Sequence, residues 1–203
     1  MLKVGITGGI GSGKSTVCRL FEKFGIPVYY ADDRAKWLMN YQEEVKNKLM
    51  EHFGADVYQS DGLLNRAHLA GIVFKDASQL KVLNSIVHPA VFKDGQQWQR
   101  EQESLGVAYT LKEAALLFET GSYADLDKII VVTAPEDLRI KRVMERDNST
   151  EEEVRARMNQ QMPQAEKEKK ADYIIKNIAW ETLNVQVSEL HEKLLYYAKR
   201  PKQ

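Results

Sequence analysis

The sequence predicts an α/β protein in which a parallel β-sheet is flanked by helices and interrupted by a helical insertion. Three observations predict it. A short apolar run, a glycine-rich turn and an amphipathic stretch open the chain in immediate succession. A second apolar run follows within about thirty residues, which is the form of a right-handed crossover unit. Strand signals then return only after residue 105, so both ends of the chain build one sheet.

Taken in order, residues 2–7 read as the first strand, and Val17, Leu20, Phe21 and Phe24 recur behind it at helical spacing until Gly25 and Pro27 end the helix. Residues 28–31 are the second strand, closed by Asp32 and Asp33. From Trp37 to about Arg100 the pattern is helical, broken by Gly54, Gly62 and Pro89. Strand signals at 107–110, 114–118, 129–133 and 173–175 alternate with helices, one of them opened by Pro135-Glu136-Asp137. Residues 146–170 are strongly charged, with too few apolar side chains to anchor deeply, and Ser149 and Glu152 stand at capping-box spacing. Leu183, Val187, Leu190 and Leu194 mark one side of a last helix. The expected division is a core of about 1–36, 105–145 and 172–203, an insertion of about 37–104 and a lid of about 146–171.

Composition excludes several functions. The 203 residues are 43% hydrophobic, enough for a buried core, and 29 basic side chains balance 29 acidic ones. A net charge of zero argues against binding to nucleic acid or an anionic membrane by bulk charge and leaves only a local basic patch for such a role. Any anion must be met by a few placed residues. No apolar run approaches the length of a membrane span, and the opening residues break at Gly8 and Gly9 too early for a signal peptide. Cys18 is the single cysteine, so no intramolecular disulfide forms; it falls in an apolar helix pattern and reads as a packing residue. Cytoplasm is the expected compartment.

The most specific feature is Gly8-Gly9-Ile10-Gly11-Ser12-Gly13-Lys14-Ser15, which fits G-x-x-x-x-G-K-[ST] directly after a strand and before a helix. Gly9, Gly11 and Gly13 permit backbone angles that turn successive N–H groups inward around Ser12, and the helix adds the positive end of its dipole. Lys14 is placed to reach the β- and γ-phosphates of ATP, and Ser15 to offer its hydroxyl to Mg²⁺ with Thr16 behind it. A dinucleotide fingerprint starting at Gly9 fails because position 14 is lysine.

A nucleoside triphosphate site leaves switch GTPases, motors and small-molecule kinases open. Length excludes most motors. Lys169-Lys170-Ala171-Asp172 lacks the first residue of a guanine-reading motif and precedes a strand rather than following one. In a small kinase an acidic residue at the end of the second strand orients and deprotonates the acceptor hydroxyl, a place that Asp32 or Asp33 fits. Two adjacent side chains cannot both serve, and Asp33 reads as the cap of a helix beginning near Arg34.

The residues from Ile6 to Val17 resemble the phosphate loop of the dephospho-coenzyme A kinases. Further matches follow in order: Ala31-Asp32; Leu64 with Arg66; Ile86-Val87-His88-Pro89; Leu116-Leu117-Phe118-Glu119; Arg142 with Arg146-Asp147; Arg157 with Gln161-Met162-Pro163; and Lys170 to Ile175 with Asn177. The resemblance implies a three-part kinase with a parallel-sheet core, a helical insertion for the coenzyme A end and an arginine-bearing lid. It also implies transfer of the ATP γ-phosphoryl group to the ribose 3′-hydroxyl of dephospho-coenzyme A. A monomer or small homo-oligomer is expected. On this pattern Asp32 is the base, while Arg142, Arg146 and Arg157 neutralise phosphate charge with guanidinium forks. Arg66 and His88 sit with the acceptor, and Glu119 is left to capping or ion pairing. Tyr30, Asn65, Ala115 and Lys176 depart from the family's usual Asp, Asp, Pro and Asp, and Asp33 is the candidate to replace the first of these.

Overall fold

In the computed structural model, which describes residues 1–199, the opening apolar run becomes the central strand of a five-stranded sheet. Its strands are β1 (Leu2–Thr7), β2 (Val28–Tyr30), β3 (Tyr109–Glu113), β4 (Lys128–Thr133) and β5 (Tyr173–Lys176), in the order β2-β3-β1-β4-β5 and parallel throughout. A parallel strand covered on both faces is apolar on both, which is why Ile129 to Val132 read as an unbroken run and are buried; in β1, Val4 and Ile6 are buried while Gly5 between them leaves room for Leu117 and Leu126. The helices are α1 (Lys14–Lys23), α2 (Ala31–Tyr41), α3 (Glu43–Phe53), α4 (Arg66–Val73), α5 (Ala77–Ser104), α6 (Glu136–Asp147), α7 (Glu151–Asn159), α8 (Gln164–Lys169) and α9 (Trp180–Ala198). No described helix is long and apolar enough to cross a membrane.

The chain divides into two compact units, Met1–Tyr30 with the chain from Gln99 onward, and Ala31–Trp98. In the first, α1 sends Val17, Cys18, Leu20 and Phe21 against the sheet, and α9 adds Leu183, Val187, Leu190 and Leu194. Each such side chain contributes about 1.5–3 kcal/mol through burial. Cys18 has no exposed surface, and burial, chiefly, pushes its thiol well above the usual range. In the second unit Val45 and Leu49 of α3 meet Val57, Leu64, Leu69, Val73 and Ile86.

Five local expectations need correction. The segment 114–118 is not a strand. The pairing runs instead through Lys112 and Glu113, and the chain then turns, with Thr120 N–H donating to Leu116 O and Gly121 N–H to Phe118 O. Leu117 and Phe118 are apolar because they are buried in that turn, not because they pair. Pro89 does not break α5: the helix runs through it for 28 residues, because packing of Leu83, Ile86 and Ala90 along one face outweighs the missing N–H. The helix after β2 begins at Ala31, so Asp33 is no cap; it lies in the first turn beside Asp32 and pairs with Lys36 at 2.7 Å. The capping box of α7 is Thr150 with Glu153, one residue beyond the pair the spacing suggested. Finally, the charged stretch is anchored after all. Val154 of α7 packs fully buried on Ile140 and Val143 of α6, and Lys167 of α8 has no exposed side-chain surface.

One buried polar pair makes stability pH-dependent. The Tyr109 hydroxyl lies 2.7 Å from His191 Nδ1, and Phe24 stacks on the imidazole with ring centroids 4.5 Å apart. Burial lowers the His191 pKa below its ordinary 6.5, against an opposing pull from Glu192. The unfolded chain therefore takes up a proton that the folded chain resists. Stability is full above pH 6.5 and falls as the pH drops below it, towards the lowered folded value. Denaturant unfolding at pH 7.5 and 5.5 is expected to show a larger loss for the wild type than for His191→Gln. Equal losses would remove His191 as the cause.

Candidate active site

The loop between β1 and α1 is shaped by what cannot fit there. Gly13 is the N-cap of α1 in the left-handed region, with φ 84°, and it offers no side-chain cap to the helix. The first turn of α1 contains no acidic residue. Helix N-termini normally satisfy their free amides with such groups; here Thr16 N–H and Val17 N–H share Gly13 O at 3.0 and 3.2 Å, and the dipole end meets no protein carboxylate in that turn. Gly11, with φ 78°, lets the loop lie against the Arg139 backbone, where a Cβ would collide with the carbonyl. Ser12 is fully buried, and its Oγ has no hydrogen-bond partner among the described residues.

Pairing of β1 with β3 sets Glu113 opposite Ile6, two residues before the loop begins. Lys14 Nζ donates to Gly8 O at 3.0 Å and lies 3.9 Å from Glu113 Oε1, so its charge is held at the mouth of the loop. Asn177, just after β5, donates from Nδ2 to Ser12 O at 2.9 Å and accepts at its own carbonyl from Arg142 at 3.1 Å. Arg142 is thereby brought beside the loop through one intermediary. Arg139, three residues earlier on α6, donates from Nε to Ile10 O at 2.9 Å, and burial, chiefly, pulls its guanidinium below its ordinary pKa.

Arg146 and Arg157 are gathered by one carboxylate. Asp147 accepts from Arg146 at 2.7 and 2.9 Å and from Arg157 at 2.8 Å. The Arg146 contact foremost, with help from Arg157, holds its carboxyl down at about 2. Ser15 is exposed and Thr16 partly so, at the start of α1.

The remaining residues singled out lie in the unit Ala31–Trp98. Asp32 is exposed in the first turn of α2, two residues beyond β2, and among the described contacts it makes no hydrogen bond or ion pair, in contrast to Asp33. Arg66 opens α4 behind Asn65, whose side chain caps the helix by accepting from His68 N–H at 3.1 Å. The departure at Asn65 thus keeps the capping function of an aspartate. His88 is exposed on α5. Sequence reasoning missed Arg139, Glu113 and Gln164. Only the burial of two charged residues near a glycine loop, visible in three dimensions, picks the first two out.

A parallel sheet ordered β2-β3-β1-β4-β5, with a Gly-Lys-Ser loop between its central strand and α1 and arginines on the helices after β4, defines a phosphate-loop kinase. The comparisons narrow that class. The family model for dephospho-CoA kinase matches residues 2–181. A Salinibacter ruber protein of that name is 44% identical over 177 residues, covering 87% of this chain and 89% of the relative. A crystal structure from Thermus thermophilus superposes with a TM-score of 0.81 at 34% identity, covering 95% of this chain and 96% of that one. A dephospho-CoA kinase structure from Campylobacter jejuni gives 0.73 at 26% identity, covering 96% and 98%. The chain belongs to the dephospho-CoA kinase family.

The loop makes its own prediction. Gly13→Ala forces an L-residue into the left-handed region, costing about 1–2 kcal/mol, and drives a Cβ into Asn177 Nδ2. The variant is expected to melt at lower temperature and to lose the stabilisation that added ATP gives the wild type. Undiminished protection by ATP would mean that the loop is not where the triphosphate is held.

Proposed function

We propose that this chain transfers the γ-phosphoryl group of ATP to the ribose 3′-hydroxyl of dephospho-coenzyme A, forming coenzyme A. The observation that carries this reading is the uncapped N-terminus of α1, with Gly11 and Gly13 in left-handed conformations and Lys14 beside them, in a chain of this family. The amides of Gly11, Gly13, Lys14 and Ser15 meet the phosphate oxygens, since those of Ser12 and Thr16 are taken by Gly9 O and Gly13 O, and the α1 dipole favours their charge. Lys14 exchanges its contact with Gly8 O for the β- and γ-phosphates.

Residue roles follow from the chemistry. Phosphoryl transfer needs little covalent assistance, so positioning and charge supply most of the acceleration. Arg142 neutralises charge developing on the transferred group, and Asn177 holds it in register with the loop. Arg146 and Arg157 exchange their shared Asp147 for substrate phosphate. Asp32 accepts the proton of the acceptor hydroxyl, because it is uncommitted where Asp33 is paired. Arg66 and His88 contact the acceptor.

Mg²⁺ accompanies the nucleotide, and the hard oxygen of the exposed Ser15 hydroxyl fits it. When bound there, the ion would neutralise charge on the phosphate oxygens. A cytoplasmic setting is supported by the single buried cysteine.

ADP release measured with dephospho-coenzyme A, with AMP and with no acceptor tests the reading. Turnover is expected to require dephospho-coenzyme A. Equal rates in all three would end the kinase assignment, and preference for AMP would move it to another acceptor.

A further inference from the structure

Gln161 and Gln164 lie outside the phosphate loop, yet they hold its first half. Gly9 N–H donates to Gln164 Oε1 at 3.0 Å, and Ile10 N–H donates to Gln161 Oε1 at 2.8 Å. Arg139 takes the Ile10 carbonyl from the other direction. Gln164 is oriented by its own second contact, since its Nε2 donates to Glu168 Oε1 at 3.2 Å and so turns the carbonyl towards Gly9.

This support is itself braced. Met162 N–H donates to Glu119 Oε1 at 2.8 Å, and Lys167 Nζ lies 2.8 Å from the same carboxylate while donating to Ala115 O at 3.1 Å. Burial works against the Glu119 charge, but Lys167 and the Met162 amide outweigh it and hold the carboxyl below its ordinary range. The segment 161–167 is therefore tied to the turn after β3 through Met162 and Lys167 and to the loop through Gln161 and Gln164.

We infer that Gln161 and Gln164 are positioning residues for the donor triphosphate. By occupying the Gly9 and Ile10 amides they fix the curvature that aims the later amides of the loop at phosphate. A neutral amide suits this position because its carbonyl accepts from N–H as a carboxylate does, without setting a negative charge beside a polyanion. The inference rests on the ATP reading of the loop.

Two kinds of variant test it, with KM for each substrate as the readout. Gln161→Leu/Gln164→Leu removes both acceptors and is expected to raise the ATP KM about fivefold or more, the scale of a lost hydrogen bond, with the dephospho-coenzyme A KM nearly unchanged. Gln161→Glu keeps an acceptor but adds charge; Gln164 is kept in this variant because its Nε2 faces the Glu168 carboxylate. It is expected to raise the ATP KM at low salt by a factor that shrinks towards the wild-type value as salt is added, a screening response that a merely structural role does not produce. Gln161→Glu decides the matter alone if the leucine pair fails to fold. ATP KM values unchanged in all variants, or both substrate KM values rising together, would overturn the inference. If the wild type itself shows no ATP-dependent turnover, the loop reading fails first and takes this inference with it.

Discussion

Lys14→Ala is expected to lower kcat by about 10²–10³-fold, the cost of removing one preorganised group from a developing negative charge. Lys14 is held in the free protein by Gly8 O and faces Glu113 across 3.9 Å. Its ammonium is thus in place before substrate arrives, and little reorganisation is needed when phosphate replaces the carbonyl. Steady-state ADP release, with circular dichroism to show a folded variant, measures the effect. Activity within a few-fold of wild type would mean that Lys14 is a structural partner of Glu113 and that another cation meets the γ-phosphate.

Asp32→Asn is expected to lower kcat by about 10²–10⁴-fold with the ATP KM little changed, because a base acts on the acceptor and not on nucleotide binding. Asp33→Asn provides the contrast. Its side chain is paired with Lys36 on the surface of α2, so its loss should leave kcat nearly intact. The opposite result, a dead Asp33→Asn and an active Asp32→Asn, would exchange the two assignments.

Which parts of this structure were legible in the sequence follows from where the physics is local. The phosphate loop was legible because backbone conformation, anion chemistry and helix initiation all act within eight residues. β4 was legible because both faces of an interior parallel strand must be apolar, and β1 because Leu2, Val4 and Ile6 lead directly into the glycine-rich turn. β3 was misplaced because it carries Lys112 and Glu113 into a buried position, where each is held by partners distant in sequence. Lys112 donates to Ser122 O and Glu113 faces Lys14. Nothing in a window around residue 112 reports those partners. The same reason hid the anchoring of the charged segment: a fully buried Lys167 looks like any surface lysine until Glu119 is found 2.8 Å away. α5 ran through Pro89 because the apolar face on both sides of the proline is stabilised by tertiary packing, which a local rule for proline does not count.

Asn177 and Gln161 show an intermediate case. Both belong to the stretches that resemble the family, but their chemistry lies in side-chain amides reaching Ser12 O and Ile10 N–H, more than 150 positions away in the chain. Sequence order marked them as positions of interest; only the fold shows what they touch.

The most direct test of the account is a crystal structure with magnesium and a non-hydrolysable ATP analogue. The account predicts the triphosphate cradled by the amides of Gly11, Gly13, Lys14 and Ser15, with Lys14 Nζ moved from Gly8 O to the β- and γ-phosphates. Nucleotide bound elsewhere, with Lys14 still on Gly8 O, would contradict it.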